Sequence, residues 1–157
     1  MHQTPLHALV HTLTDRGLTV ATAESLTAGL LAARIADVPG ASAILNGGVV
    51  SYQNKIKQRV LGVDAHLLST RGAVDPVTAE QMARGAQRVC DSDIGISTTG
   101  VAGPEPHQGK DVGTVYIGLC IADHVSQHVE LHLQGDRAQI RHQTVEAAIT
   151  QLCAVVD

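Results

Sequence analysis

The sequence predicts a three-layer α/β/α domain around a mixed, mostly parallel sheet of about five strands. Three observations lead there. Strand-like apolar runs and helix-like periodic runs alternate from residue 18 to residue 99, the order that builds parallel βαβ units. Two longer β-rich runs then follow one another between residues 113 and 133, as in a hairpin. A helix-like stretch stands near each end of the chain, available to cover a sheet face.

Residues 6–16 read as a helix, because Leu6, Val10 and Leu13 keep helical spacing and Gly17 suits the residue after a helix. Residues 18–23 read as a strand. A second helix is expected from Leu26 to Ala36, ending near Pro39-Gly40. Residues 43–52 read as a strand pair or a kinked strand, with Gly47-Gly48 allowing a turn or a bulge. Asn54 is expected to cap a short helix over 55–61, and a second helical piece spans 65–69. Asp75 as N-cap and Pro76 in the first turn open a longer helix to Cys90. Residues 93–99 read as a buried strand and residues 100–112 as a loop. Strands over 113–121 and 125–133 pair about Asp123-His124, and Gly135-Asp136-Arg137 starts a last helix to about Val155.

All 157 residues are read as one domain. Hydrophobic residues make up 44% and charged residues 17%, the balance of a folded chain rather than a disordered one. A net charge of -4 argues against a basic nucleic-acid surface. No apolar run approaches the ~20 residues that span a bilayer. Residues 1–5 lack the charged and apolar regions of a signal peptide, so a cytoplasmic location is expected. Cys90, Cys120 and Cys153 are odd in number, form no CxxC and are expected to be reduced. The only aromatic residues are Tyr52 and Tyr116, so the core is aliphatic and each tyrosine stands out.

Ser25 sits where a strand gives way to a helical run. It reads equally as an N-cap or as an exposed hydroxyl at a strand end, where open α/β sheets bind ligands. It lies in neither G-x-S-x-G nor S-x-x-K, because position 28 is Ala, so a nucleophilic serine needs a base from elsewhere. Helix phasing separates two lysines downstream. Taking Ile56 as zero at about 100° per residue, Lys57 falls near ~100°, inside the apolar arc, and Lys55 near about -100°, outside it. An inward lysine reads as a base with a lowered pKa or as a chain snorkelling at the core edge. Tyr52 likewise reads as a half-buried strand residue or a site residue. Thr98-Thr99-Gly100-Val101-Ala102-Gly103-Pro104 allows close backbone approach to a ligand or is an ordinary surface loop. His7 and His11 have helical metal-pair spacing but no third ligand, and His128 and His132 are roughly 13 Å apart on one strand. No metal and no cofactor are expected.

Taken together, several motifs match one family. They are Thr22-Ala23-Glu24-Ser25-Leu26-Thr27-Ala28-Gly29; Gly47-Gly48-Val49-Val50-Ser51-Tyr52-Gln53-Asn54 with Lys57; Gly72-Ala73-Val74; Thr99-Gly100-Val101-Ala102-Gly103-Pro104; Val112-Gly113-Thr114-Val115; and Gly135-Asp136-Arg137 with Arg141. In this order the chain resembles the CinA C-terminal domain, the PncC-type nicotinamide-nucleotide amidohydrolases. Where that family usually has Cys, Gly and Pro, this chain has Leu26, Ala28 and Asp111, and the glycine-rich insert after Pro104 reads Glu105-Pro106-His107-Gln108 here. The resemblance implies hydrolysis of the carboxamide of nicotinamide mononucleotide (NMN) to nicotinate mononucleotide and ammonia. It implies Ser25 as nucleophile, with Lys57 and Tyr52 sharing the proton work and Lys55 as the fallback. Thr27, Thr99, Gly100, Ala102, Gly103 and Arg141 are the residues expected to bind the nucleotide. The expected partner is that small molecule, with neither nucleic acid nor membrane and with room for a homo-oligomer. The rival expectations are a non-catalytic nucleotide-binding or competence-associated module, and an amidase for another small amide.

Overall fold

The computed structural model describes residues 3–121 and 125–157, so the expected turn at Asp123-His124 lies outside the described residues. Helix α1 (Pro5–Arg16) is capped by Thr4, whose hydroxyl accepts from the His7 N–H, and closes on Gly17 at φ 66°. Strand β1 (Val20–Glu24) is buried at every position. Helix α2 covers Leu30–Ala36, and a single 3₁₀ turn, Ala41–Ala43, leads into β2 (Leu45–Val50). Helices α3 (Asn54–Arg59), α4 (Ala65–Thr70) and α5 (Pro76–Val89) come next. Then follow β3 (Ile94–Gly100), β4 (Thr114–Ile121), β5 (Val125–His132) and α6 (Arg137–Val156).

Two helix starts fall where expected, the first on the Asp75 N-cap anticipated from the sequence. The Asp75 carboxylate accepts from the Val77 and Thr78 N–H groups, and Asp136 forms a capping box with Gln139. Two other starts differ. Gln53, not Asn54, occupies the N-cap position of α3, and it makes no side-chain cap. Helix α2 begins at Leu30 rather than Leu26, because residues 25–29 form an irregular turn with Ala28 at φ 49° and Gly29 at φ 101°.

The strand order is β2-β1-β3-β4-β5. Strand β1 runs parallel to both β2 and β3, whereas β4 is antiparallel to β3 and to β5. Hence β4 alone opposes the other strands, and the sheet is mixed. Residues 45–50 form one strand rather than a pair. Its register against β1 slips between Val20–Leu45 and Ala21–Gly47, leaving Asn46 as the extra residue. The Asn46 amide pins that bulge by donating to the Cys90 and Asp91 carbonyls.

Helices α1, α2 and α6 cover one face, where Leu13, Leu31, Ile35, Ile140 and Leu152 pack on Ile96, Ile117 and Leu119. Each such side chain contributes about 1.5–3 kcal/mol by burial. Residues from α4, α5 and the turn after α3 cover the other face, where Leu61, Leu68 and Met82 meet Ala21 and Ala23. This second layer sits very close to the sheet. A Cβ on Gly118 would lie 2.1 Å from the Ala79 carbonyl oxygen, and one on Gly95 would lie 1.9 Å from that of Ala83. Gly118→Ala is therefore expected to cost about 3 kcal/mol, because backbone must move to admit it. Urea unfolding checks this, and an unchanged midpoint would show that the layers are looser than described.

The chain leaves β1 toward β2 on one side, while β3 lies on the other. The carboxyl ends of β1 and β3 thus border the crevice where connections diverge, the place such sheets bind ligands. The Ser25 N–H donates to the Thr98 carbonyl across that junction at 2.9 Å.

Candidate active site

Ser25 follows the last residue of β1. It is not a helix cap: its N–H is held by β3, and its carbonyl accepts from the Ala28 N–H within the turn. Among the described residues no acceptor is bonded to the N–H of Leu26, the next residue. Helix α3 brings Lys57 to the Ser25 hydroxyl. Lys57 is 1% exposed, whereas Lys55 on the same helix is exposed, as the phasing predicted.

The Lys57 Nζ lies 3.0 Å from Ser25 Oγ, 2.7 Å from the Ser51 carbonyl oxygen and 3.1 Å from that of Tyr52. The two carbonyls can only accept. A neutral amine gives them its two N–H bonds and keeps its lone pair for the Ser25 hydroxyl proton. Burial lowers the Lys57 pKa from 10.5 to about 8, so the neutral form is accessible near physiological pH. Both carbonyls come from the segment between β2 and α3, which is tied down where the Ser51 N–H donates to the Glu24 carbonyl.

A cavity of about 520 Å³ opens above this pair, and Tyr52, Lys57, Thr99, Arg137 and His107 line it. Tyr52 is half exposed, and its hydroxyl accepts from the Arg137 guanidinium at 2.7 Å rather than bonding to Ser25 or Lys57. The second Arg137 nitrogen donates to the Gly103 carbonyl at 2.6 Å. Tyr116 stands elsewhere, with its hydroxyl donating to Glu130.

The expected binding residues divide. Thr99, Gly100, Ala102 and Gly103 lie on the cavity wall, but the Thr99 hydroxyl donates to the Ala73 carbonyl. The glycines there answer to packing. A Cβ on Gly100 would meet Val115 and the Thr114 carbonyl, and one on Gly103 would meet Val112. Thr27 does not reach the cavity. It is fully buried, with its hydroxyl donating to Glu24 at 2.6 Å and meeting Thr98 Oγ1 at 2.8 Å. Arg141 also turns away, donating to the Leu26 and Thr27 carbonyls. Arg137, one helical turn earlier, takes the cavity position instead. Of the residues that differ from the family pattern, Leu26 and the insert Glu105-Pro106-His107-Gln108 line the cavity, whereas Ala28 and Asp111 do not. Ala28 occupies a left-handed conformation at φ 49°, where glycine is at ease. Among the described residues, no grouping of three His, Cys, Asp or Glu side chains could hold a metal ion.

Fold and site together define a doubly wound α/β domain with a serine–lysine pair at the point where its strand order reverses. The chain belongs to the CinA C-terminal domain family, whose sequence profile matches residues 2–156. It is 47% identical over 137 residues to a CinA-like protein of Frankia casuarinae, covering 87% of this chain and 31% of that one. The chain spans about a third of the length of the curated relatives it matches. Among solved structures, the competence/damage inducible protein CihA of Agrobacterium tumefaciens has a TM-score of 0.89 at 33% identity, covering 100% of this chain and 99% of that one. A CinA superfamily protein of Escherichia coli has a TM-score of 0.93 at 28% identity, over 98% and 89% of the two chains. No helix among the described residues is long and apolar enough to cross a membrane.

Proposed function

We propose that this chain hydrolyses the carboxamide of NMN, giving nicotinate mononucleotide and ammonia, with Ser25 as nucleophile and Lys57 as its base. The observation that carries this reading is the Lys57–Ser25 contact at 3.0 Å, with two carbonyls fixing the direction of the amine. Ser25 Oγ attacks the carboxamide carbon, and its proton passes directly to neutral Lys57. The developing oxyanion takes the unpaired N–H of Leu26. The Lys57 ammonium then returns its proton to the departing nitrogen, and the C–N bond breaks to release ammonia. Water, activated by the same amine, cleaves the acyl-serine ester and frees the acid.

Tyr52 is not needed as a relay in this scheme, because lysine and serine touch directly. Its hydroxyl instead accepts from Arg137 and orients that guanidinium. Arg137, with two nitrogens already aimed along the cavity wall, supplies the cation for the nucleotide phosphate. The aliphatic Val74 and Ala102 offer apolar wall to the pyridine ring.

Arg137→Met is expected to raise KM for NMN by about 10- to 100-fold while lowering kcat far less, since phosphate binding is shared by ground and transition states. Steady-state ammonia release measures both. A kcat loss with constant KM would move Arg137 from phosphate to chemistry. The reading as a whole is tested by assaying NMN beside nicotinamide, nicotinamide riboside and asparagine. Ammonia from NMN alone is the expected outcome. Preference for an amide without phosphate would replace the substrate, and tight NMN binding without turnover would replace the enzyme by a binding module.

A further inference from the structure

The mechanism above leaves one buried ionisable group unused. Glu24, the last residue of β1, is 1% exposed, and its carboxylate makes four hydrogen bonds. Oε1 accepts from the Thr27 hydroxyl at 2.6 Å and from the Leu31 N–H at 2.7 Å. Oε2 accepts from the Thr22 hydroxyl at 3.2 Å and from the Ala32 N–H at 3.1 Å. Each oxygen therefore faces one backbone N–H and one hydroxyl. The backbone donors cannot reverse, so only a group that accepts at both positions satisfies them.

These bonds span the turn that carries Ser25. Thr27 lies inside the turn, and Leu31 and Ala32 lie in the first turn of α2 just beyond it. Glu24 thus ties both the middle and the far end of the segment 25–29 back to β1. That segment has two consecutive residues at positive φ, Ala28 and Gly29, a conformation alanine adopts only at a cost. Thr27 extends the link to Thr98 of β3, whose own carbonyl holds the Ser25 N–H. The near side fits as closely: a Cβ on Gly48 of β2 would lie 2.5 Å from Thr22 Oγ1.

We infer that Glu24 is a positioning residue for the nucleophile: its buried carboxylate fixes the Ser25–Gly29 turn so that Ser25 Oγ meets Lys57, with the Leu26 N–H beside it in the same turn. This rests on the serine reading above but not on NMN as the substrate. Without the carboxylate the turn relaxes toward ordinary helix geometry, and Ser25 and the Leu26 N–H swing out of register. Such a displacement costs about 10²-fold in rate.

The test compares Glu24→Gln, Thr27→Val and Thr22→Val in the full chain. Two readouts are taken: kcat and KM for NMN, and the rate at which a fluorophosphonate labels Ser25. Gln keeps the size of Glu24 but turns one acceptor into a donor facing a backbone N–H. Glu24→Gln is expected to lose about 10²-fold in both kcat and labelling, with KM within about threefold. Should Glu24→Gln fail to fold, the threonine pair decides. Each loses one hydroxyl from the same carboxylate, Thr27 on the turn side and Thr22 on the strand side. Thr27→Val is expected to lose tenfold or more in labelling and kcat, and Thr22→Val to keep both within twofold at a similar thermal midpoint. Equal losses in the two variants, or unchanged labelling in a folded Glu24→Gln, would overturn the inference and leave Glu24 as a core polar group. A wild-type protein that labels at Ser25 but ignores NMN removes the substrate alone. One that neither labels nor turns over removes the nucleophile and, with it, this role for Glu24.

Discussion

Ser25→Ala is expected to release ammonia from NMN at least about 10⁴-fold more slowly than the wild-type protein, with its fold and thermal midpoint nearly unchanged. The size of the effect follows from the chemistry. Without Oγ there is no acyl-enzyme, and what persists is the help that binding and the oxyanion donor give to water. The small structural effect follows from the site. The Ser25 backbone is held by Thr98 and Ala28, independently of its side chain, and the hydroxyl's neighbour Lys57 retains two carbonyl acceptors. Ammonia assays and a melting curve on the same preparation check both halves. Substantial activity in the alanine variant would mean that water attacks directly and that Ser25 only orients it.

Lys57→Met is expected to lower kcat by about 10³-fold, within the range for loss of a general base, while Lys55→Met stays within twofold. The two lysines are two residues apart on one short helix, so a nonspecific effect of charge would touch both. The pH dependence separates base from bystander. Lys57 titrates at about 8, so wild-type kcat/KM should rise with pH to a plateau above that value. The residual activity of Lys57→Met should lack this limb. The same shift has a consequence for stability, with a fixed sign. Lys57 binds its proton less tightly in the folded chain than at the ordinary 10.5, so the unfolded chain holds more protons between pH 8 and 10.5. The unfolding free energy therefore rises with pH across that window. The cost of burying the ammonium, about 3 kcal/mol, is fully present below pH 8 and fades toward 10.5. Urea titrations of wild type and Lys57→Met between pH 7 and 10 should differ in slope. Parallel curves would show that Lys57 titrates normally.

The parts of this fold written in local chemistry are legible in the sequence. Asp75-Pro76, Gly17 and Gly135-Asp136-Arg137 announce helix ends through residues a few positions apart. The inward side of Lys57 was legible from its helix phase, although Val60, taken for the same apolar arc, is exposed and Leu61 lies past the helix end at Arg59. The start of α2 was not legible in the same way. Its cap is Glu24, seven residues before Leu31, and the intervening turn depends on a positive φ at Ala28 that nothing in an alanine announces. Once the helix is started four residues early, Ser25 can be read as its cap, and Thr27 is expected at the ligand rather than buried against Glu24. Arg137 and Arg141 show a second limit. They lie one turn apart on α6, and the fold turns Arg141 to the carbonyls of the 25–29 turn while Arg137 reaches the cavity. The signal for Arg137 was its place beside the Asp136 cap, where the helix begins near the strand ends. The mixed character of the sheet was legible from the hairpin, but the order that puts β1 between β2 and β3 is a tertiary choice.

The serine mechanism is tested most directly by catching its intermediate. The protein is mixed with NMN, quenched in acid within the first turnover, digested and mapped by mass spectrometry. The peptide containing Ser25 is expected to carry the pyridine-carbonyl nucleotide as an ester, absent from Ser25→Ala and accumulating when Lys57 is replaced if deacylation slows more than acylation. Ammonia released in a full single turnover, with no adduct on Ser25 at any time point and with one atom of solvent ¹⁸O delivered to the product by Ser25→Ala at the wild-type rate, would contradict it.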